Sequence, residues 1–320
     1  MELSIVCVNW NSVDYLRECL ASIYEHTEGV SFEILIVDNA SPAGGVGVLE
    51  REFPQIKLIR SPTNLGFAGA NNLGFRQSCG TYVLFLNPDT KLIGPTISIL
   101  LGHIQSLPDA GIVGCKLLNS DLTVQLSSIQ KFPTILNQAL DAEYLRIRWP
   151  RCPLWEIAPL FAENVKLLKV RVIPGACMLL RRTVFEQVGM FSEDYFMYAE
   201  DIDLNYKVKH AGFANYYVGE TAIIHHGGGS SSRQEVRQWA VVMKMNAMLQ
   251  LFQKTRGGAY GTGYRAAMGT VAAARLSILT VISLIERLLG RGQAPRVAFI
   301  KWKAVLNWAI GRREPALGDR

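Results

Sequence analysis

Three stretches of this chain carry side chains able to do chemistry. The apolar run Tyr82-Val83-Leu84-Phe85-Leu86 stops at Asn87-Pro88-Asp89. A run of about five apolar residues has the length of a strand buried on both faces of a parallel sheet. Asp89 then stands at the strand's carboxyl end, where open α/β sheets gather ligands, and reads as a ligand to a cation or a sugar hydroxyl; capping of a helix near Pro95 is the competing role. Glu200-Asp201-Ile202-Asp203 places three acids in four residues at the opening of a helical pattern that runs through Val208 to Gly212. The helix dipole alone would favour negative charge there. Finally, Ala222-Ile223-Ile224-His225-His226 is a strand ending in two imidazoles, with a flexible Gly227-Gly228-Gly229-Ser230 loop behind it. Adjacent strand residues point to opposite faces, so only one histidine can serve a given site, and a surface pair is the alternative.

The elements that would position these groups alternate. Leu3–Val8 is strand-like, meets Asn9-Trp10-Asn11-Ser12, and gives way to Leu16, Leu20 and Ile23 at helical spacing behind a Ser12 N-cap. Phe32–Val37 repeats the pattern and stops at Asp38-Asn39-Ala40-Ser41-Pro42, and Ile56–Ile59 supplies a third strand. Each strand ends in polar side chains at one edge of the sheet. Asn64-Leu65-Gly66-Phe67-Ala68-Gly69-Ala70-Asn71-Asn72-Leu73-Gly74 is a small-residue turn entering a helix; its glycines fit neither a dinucleotide fingerprint nor a P-loop. Strands alternating with helices through about residue 115 predict an α/β fold around a parallel sheet. Residues 120–170, with Trp149, Pro150, Pro153, Trp155 and Pro159, read as an irregular segment that either covers an acceptor or lies on the surface. Val172–Leu180 reads as a strand whose Gly175 lets the backbone pass close to a sugar.

Composition bounds the rest. With 320 residues, 49% hydrophobic and 19% charged, the chain is globular and long enough for one large core or two modest ones. Its net charge of +6 is uneven: residues 1–232 hold 18 Lys and Arg against 23 Asp and Glu, residues 233–320 hold 15 against 4. Six scattered cysteines without a C-x-x-C pair read as thiols of a reducing compartment, neither a metal site nor a disulfide framework. Leu3–Val8 is too short, and lacks the preceding basic segment, for a signal peptide, so the catalytic part is expected in the cytoplasm.

The tail is helical in pattern, with Trp239, Val242, Met243, Asn246 and Leu249 near one stripe and Ala266–Ile285 uncharged except for Arg275. Spanning a bilayer would bury Arg275 at a cost on the order of 3 kcal/mol, with little compensation from the many alanines. Arg287, Arg291, Arg296, Lys301 and Lys303, interleaved with Phe299, Trp302 and Trp308, instead suggest a helical pair lying on an anionic membrane surface; packing against the catalytic domain competes. No nucleic-acid-binding motif accompanies the basic residues.

Val8-Asn9-Trp10-Asn11, Val37-Asp38-Asn39-Ala40-Ser41, the Asn64–Gly74 turn and Leu86-Asn87-Pro88-Asp89, in that order, resemble the motifs of family-2 glycosyltransferases of the GT-A fold, nearest the bacterial rhamnosyltransferase-like branch. The resemblance covers about residues 3–232 and implies a Rossmann-like mixed sheet flanked by helices, with 1–232 catalytic and 233–320 a basic helical extension. It implies that Asn9, Asn11 and Asp38 contact a nucleotide-diphosphate sugar, with Asn71 or Asn72 lining the same pocket. Asp89 matches the last residue of the family's D-x-D motif, whose first Asp is Asn87 here, a weaker neutral ligand to a Mg²⁺ or Mn²⁺ that offsets diphosphate charge. A histidine of the family's metal site maps to His225, with His226 in reserve. Glu200-Asp201 resembles the E-D motif, which makes Asp201 the general base of an inverting transfer and Glu200 an acceptor contact alongside Gly175; a carboxylate at a helix start is fixed and kept ionised by backbone N–H groups.

The implied function is a metal-dependent inverting glycosyltransferase using a donor such as dTDP-rhamnose to extend a lipid-linked or polysaccharide acceptor in bacterial cell-surface glycan synthesis, peripheral to the inner face of the plasma membrane. Nucleic acid is not among the expected partners, and a homo-oligomer is left open. Two rivals are a nucleotidyltransferase, which the Asn-rich and Lys/Arg-poor early turns disfavour, and an inactive carbohydrate- or membrane-binding module, encouraged only by Asn87.

Overall fold

The alternation of apolar and polar residues is weak along the strands because both faces of the sheet are covered. In the computed structural model, which describes residues 1–162, 164–227, 234–289 and 296–312, the strands are β1 (Leu3–Asn9), β2 (Phe32–Asp38), β3 (Ile56–Arg60), β4 (Tyr82–Leu86), β5 (Thr90–Leu92), β6 (Ala110–Leu118), β7 (Leu167–Val170), β8 (Cys177–Arg181) and β9 (Ala214–His225). The helices are α1 (Val13–His26), α2 (Val48–Glu52), α3 (Gly66–Arg76), α4 (Thr96–Ser106), α5 (Ile135–Ala139), α6 (Glu143–Arg148), α7 (Arg182–Gln187), α8 (Glu200–His210), α9 (Gln234–Arg256), α10 (Gly258–Leu288) and α11 (Arg296–Ala309). The strands join in one mixed sheet of order β3-β2-β1-β4-β8-β6-β9-β5, with β7 added antiparallel to β9. Leu3, Ile5 and Cys7 of β1 face a core shared with α1 and α4, while Val6 faces a second core shared with α3 and α8. Period-2 orientation thus serves two apolar layers at once, and the strands read as continuous apolar runs.

β1, β2, β3 and β4 are mutually parallel, whereas β8 runs antiparallel to β4 with Leu86 opposite Cys177. The carboxyl ends of β1, β2 and β4 therefore meet the amino end of β8 at a single edge. β5 adds antiparallel to β9 with Thr90 opposite His225, which returns the chain from Asp89 to the histidine.

Local details depart from the sequence reading in several places. Ser12 stands at the start of α1 but makes no capping bond; its Oγ donates instead to Asn9 Oδ1 at 3.1 Å. The strand expected from Val172 begins only at Cys177, so Gly175 lies in the turn before it. Pro174 lacks the N–H a ladder needs, and Val172 keeps a single bridge to Gln130. Residues 120–170 are packed in part: Ile129, Trp155, Ile157 and Leu160 enter the second core, while Leu122, Tyr144, Ile147, Trp149 and Phe161 are exposed. Asp89 caps no helix, since β5 separates it from α4.

Two compact units emerge, Met1–Phe132 with Ala142–Ser230, and Pro133–Asp141 with Ser231–Arg320. The boundary expected at 232 lies outside the described residues. In the second unit α9, α10 and α11 pack around Phe252, Tyr264 and Trp308, with the Phe252 and Tyr264 rings 4.9 Å apart. The stripe α9 buries is Ala247, Met248, Leu251 and Phe252, displaced from the one expected through Trp239 and Asn246 because α9 meets two helices rather than one. Arg275 stacks on Trp302 at 4.3 Å and donates to Ala139 O at 3.3 Å, so its charge is held by protein groups of the same unit. Helix α10 is long and apolar enough to cross a membrane by length and composition, with a mean hydropathy of 1.8 over an 18-residue window within Gly258–Glu286.

Candidate active site

At the end of β1, Asn9 is fully buried and all its polar atoms are engaged: Nδ2 donates to Asp38 Oδ1 at 2.8 Å and to Ser41 Oγ at 3.1 Å, and Oδ1 accepts from Ser12. Ser41 Oγ also donates to Asp38 Oδ1, at 2.6 Å. Both bonds fall on one carboxylate oxygen, which fixes the Asp38 side chain and leaves Oδ2 without a protein donor. Asn11, exposed and at φ 55°, receives the Ala43 N–H on its Oδ1 at 3.0 Å. These residues close the β1 and β2 ends into one rigid polar corner.

The turn entering α3 is built by a residue the sequence reading passed over. Asn39 Oδ1 accepts the Leu65 N–H at 2.8 Å and its Nδ2 donates to Asn64 Oδ1 and Gly66 O. Gly66 adopts φ +69°, and a Cβ there would sit 2.2 Å from Phe196 O, the oxygen that accepts the Phe67 N–H at 3.0 Å. Only glycine allows that approach. Asn71 and Asn72 turn inward: Asn71 Nδ2 bonds Phe67 O at 2.9 Å, and Asn72 holds Phe191 through both its N–H and its carbonyl as well as Glu193. The Asn72 amide braces α3 against the 191–196 segment, whereas that of Asn71 closes on its own helix.

That segment delivers the acids. Tyr198 and Ala199 both adopt left-handed conformations, φ 71° and 64°, immediately before α8 begins at Glu200, a backbone strain of the kind that surrounding structure must hold in place. Asp201 Oδ2 accepts the Gly175 N–H at 3.0 Å and Oδ1 accepts its neighbour Ile202's at 2.8 Å. A Cβ on Gly175 would make an ordinary contact with Asp201 Cβ at 3.5 Å and a tight one with the Phe67 ring at 3.3 Å. Glu200 points inward, with Oε2 unpaired, and burial together with the Asp201 charge pushes its carboxyl up to about 8. Asp203 is buried under Ser192, whose Oγ donates to it at 2.5 Å.

Across the edge, Asp89 Oδ1 lies 3.4 Å from His225 Nε2, and Asn87 Nδ2 lies 3.3 Å from the same nitrogen. Burial pushes the Asp89 carboxyl up, but the hydrogen bond and charge of His225 outweigh it and hold it below its ordinary value. His226 faces the other way, as strand alternation requires, with Nδ1 2.8 Å from Ser120 Oγ and its ring 5.3 Å from that of Tyr15. The Gly228–Ser230 loop lies outside the described residues. The two halves of the edge are joined through the main chain: Asn87 N–H donates to Ala176 O at 3.0 Å, and the next residue back, Gly175, holds Asp201.

Among the described residues no three His, Cys, Asp or Glu side chains converge as a metal site. The Asp89 and His225 pair, with the Asn87 amide beside it, nevertheless fits a hard divalent cation that takes its remaining ligands from a diphosphate. A cavity of about 600 Å³ lined by Lys169, Arg171, Lys209 and Asn215 lies elsewhere and includes none of these residues.

The model of glycosyl transferase family 2 matches residues 4–189. Over 244 residues the chain is 31% identical to an N-acetylglucosaminyl-diphospho-decaprenol L-rhamnosyltransferase of Mycobacterium tuberculosis, covering 72% of this chain and 78% of that one. It is 25% identical over 229 residues to rhamnosyltransferase WbbL of Escherichia coli, covering 69% and 82%. Among solved structures, the mannosyltransferase PcManGT of Pyrobaculum calidifontis, in complex with GDP-Man and Mn²⁺, superposes with a TM-score of 0.57 at 16% identity over 97% of this chain and 86% of that one. TarS of S. aureus, residues 1–349, does so at 0.51 and 15%, over 98% and 90%. At these identities the structural likeness carries the fold alone, and that fold is GT-A.

Proposed function

We propose that this chain, which belongs to glycosyl transferase family 2, moves a sugar, rhamnose in the first instance, from a nucleotide-diphosphate donor to a hydroxyl of a lipid-linked acceptor in bacterial cell-surface glycan synthesis. The two rhamnosyltransferases it resembles support the sugar, and the mycobacterial one supports an acceptor carried on a polyprenyl diphosphate. The observation that carries the reading is the joining of Asp201 to the Asn87–Asp89 segment through Gly175 and Ala176 at a single sheet edge.

In this reading Asp38 Oδ2 takes a ribose hydroxyl, while Asn9 holds that carboxylate in register and Asn11 shapes the rim beside it. Asp201 takes the proton of the acceptor hydroxyl as it attacks the anomeric carbon, and the nucleoside diphosphate departs from the opposite face, inverting the centre. Because both carboxylate oxygens of Asp201 are anchored to backbone N–H groups, the base meets the hydroxyl without reorganising. Asp89 and His225, assisted by Asn87, would hold a Mg²⁺ or Mn²⁺, which when bound offsets the charge developing on the leaving diphosphate. Gly175 leaves room for the acceptor beside Asp201, and Glu200, neutral and buried beneath it, supports the start of α8 from within.

The second unit is read as the membrane-facing part. Ile278, Val281, Leu284, Ile285, Leu288 and Leu289 of the 278–289 region are exposed, Leu288 by 79%, beside a tail with 15 basic and 4 acidic residues. The Arg275 contacts within the unit favour contact with one leaflet over a span. The Arg287, Arg291 and Arg296 side chains lie outside the described residues.

The test is transfer of labelled rhamnose from dTDP-rhamnose to polyprenyl-diphosphate-linked N-acetylglucosamine, run beside a panel of other nucleotide sugars in the presence of Mn²⁺. Product with one donor supports the assignment. Absence of transfer and of thermal stabilisation across the whole panel would sink it.

A further inference from the structure

Gln125 grips a single residue at two points. Its Nε2 donates to His225 O at 2.5 Å, and its Oε1 lies 3.0 Å from His225 Nδ1. The amide orientation follows from chemistry: a main-chain carbonyl only accepts, so the NH₂ end must face it and the oxygen must face the imidazole. An acceptor opposite Nδ1 requires that nitrogen to carry the hydrogen. In the neutral ring the other nitrogen then turns its lone pair toward Asn87 Nδ2 at 3.3 Å and Asp89 Oδ1 at 3.4 Å. A lone pair facing a carboxylate oxygen is repulsive unless a cation lies between them, either a second proton on the ring or a metal ion.

Gln125 is itself held firmly. Its N–H donates to Leu117 O at 2.9 Å, its carbonyl accepts from the Ser128 N–H at 3.1 Å and Ser128 Oγ at 2.8 Å, and Ser128 Oγ in turn receives the Leu117 N–H at 3.0 Å. The turn that leaves β6 is thereby closed on β6, and β6 runs parallel to β9 with Leu118 opposite Ile224. The side chain emerges beside the end of β9.

We propose that Gln125 is a positioning residue that holds His225 in the Nδ1–H tautomer, with Nε2 presented beside Asp89 as a ligand for a divalent cation. The purpose of the tautomer rests on the cation reading above; the tautomer itself does not. Side chains that accept from the far nitrogen of a ligating histidine fix its ring and typically carry about 10- to 100-fold in metal affinity.

Ring ¹⁵N spectra of the metal-free full chain, labelled at its five histidines and assigned with His225→Asn, read the tautomer directly at mildly alkaline pH. The expected result is hydrogen on Nδ1 of His225 in the wild type and in Gln125→Glu, which keeps an acceptor, and a shift toward Nε2–H in Gln125→Leu. Mn²⁺ alone, titrated and followed by electron paramagnetic resonance, should bind Gln125→Leu about 10- to 100-fold more weakly than the wild type. A wild-type His225 carrying its hydrogen on Nε2, or a tautomer unmoved in Gln125→Leu, overturns the assignment. A tautomer that follows residue 125 in a protein that binds no Mn²⁺ upholds the positioning role and removes the cation reading instead.

Discussion

The Gly175 N–H donates to Asp201 Oδ2 at 3.0 Å, across 26 residues of chain and from a turn to a helix start. This bond, with the Ile202 N–H on the other oxygen, anchors both oxygens of Asp201 at the sheet edge, as its proposed role of general base requires.

Asp201→Asn keeps the shape and an acceptor for one of the two N–H partners while removing basicity. Turnover is expected to fall about 100- to 10,000-fold with donor affinity near that of the wild type, measured by initial rates and by nucleotide titration. Turnover within a few-fold of wild type would remove Asp201 as the base.

The polar ends of β1, β2 and β4 were legible because each apolar run stops abruptly, and a buried parallel strand can change character only where it leaves the sheet. Asp38 and Asp89 follow from that pattern, and Asp201 from the acids that open α8. What could not be read were side chains whose partners lie far along the chain: Gln125 meets His225 100 residues away, and Asn72 meets Phe191 119 away. Asn72 looks the same in sequence whether it faces a ligand or braces a loop, and only the fold decides. The apolar neighbours of Gly175 read as a strand, whereas Pro174 breaks the ladder there and β8 begins at Cys177.

Asp89→Ala should weaken nucleoside diphosphate binding when Mn²⁺ is present and leave it unchanged under chelation, because in the proposed reading the carboxylate acts on phosphate through the cation. Calorimetric titration with and without chelator separates the two. Equal weakening in both conditions would place Asp89 in direct contact with the nucleotide.

Gly66→Ala tests the join between α3 and the segment before Asp201. The new Cβ would meet Phe196 O at 2.2 Å in a backbone at φ +69°, and the left-handed conformation alone costs about 1–3 kcal/mol in a residue other than glycine. A lowered melting temperature with a proportionally larger loss of turnover is expected, since the Phe196–Ala199 backbone that carries Asp201 must shift. Unchanged stability would show that the turn relaxes freely.

Glu200 gives a pH signature. Its carboxyl, pushed from an ordinary 4.5 to about 8, binds a proton more tightly folded than unfolded. The stability it contributes is therefore complete below about pH 4.5 and is lost as pH rises toward 8. Glu200→Gln is neutral throughout, so thermal unfolding should show a smaller fall over this window and a melting temperature above the wild type's on its alkaline side. Parallel profiles for the two proteins would mean that Glu200 is ionised in the fold.

The exposed residues of α10 make the membrane reading separable from folding. Val281, Leu284 and Leu288 are exposed by 56%, 58% and 79%, so replacing all three by Gln removes apolar surface without opening a cavity, and surface changes of this kind leave stability within about 0.5 kcal/mol per site. Burying such side chains in lipid is worth about 1.5–3 kcal/mol each, so flotation with vesicles containing anionic lipid should drop at least tenfold while the melting temperature holds. Raising the salt concentration should weaken the wild type further, because basic residues add an attraction that is screened within about a Debye length. Flotation that persists in the triple variant at high salt would mean that α10 does not touch the bilayer, and the exposed face would then need another occupant.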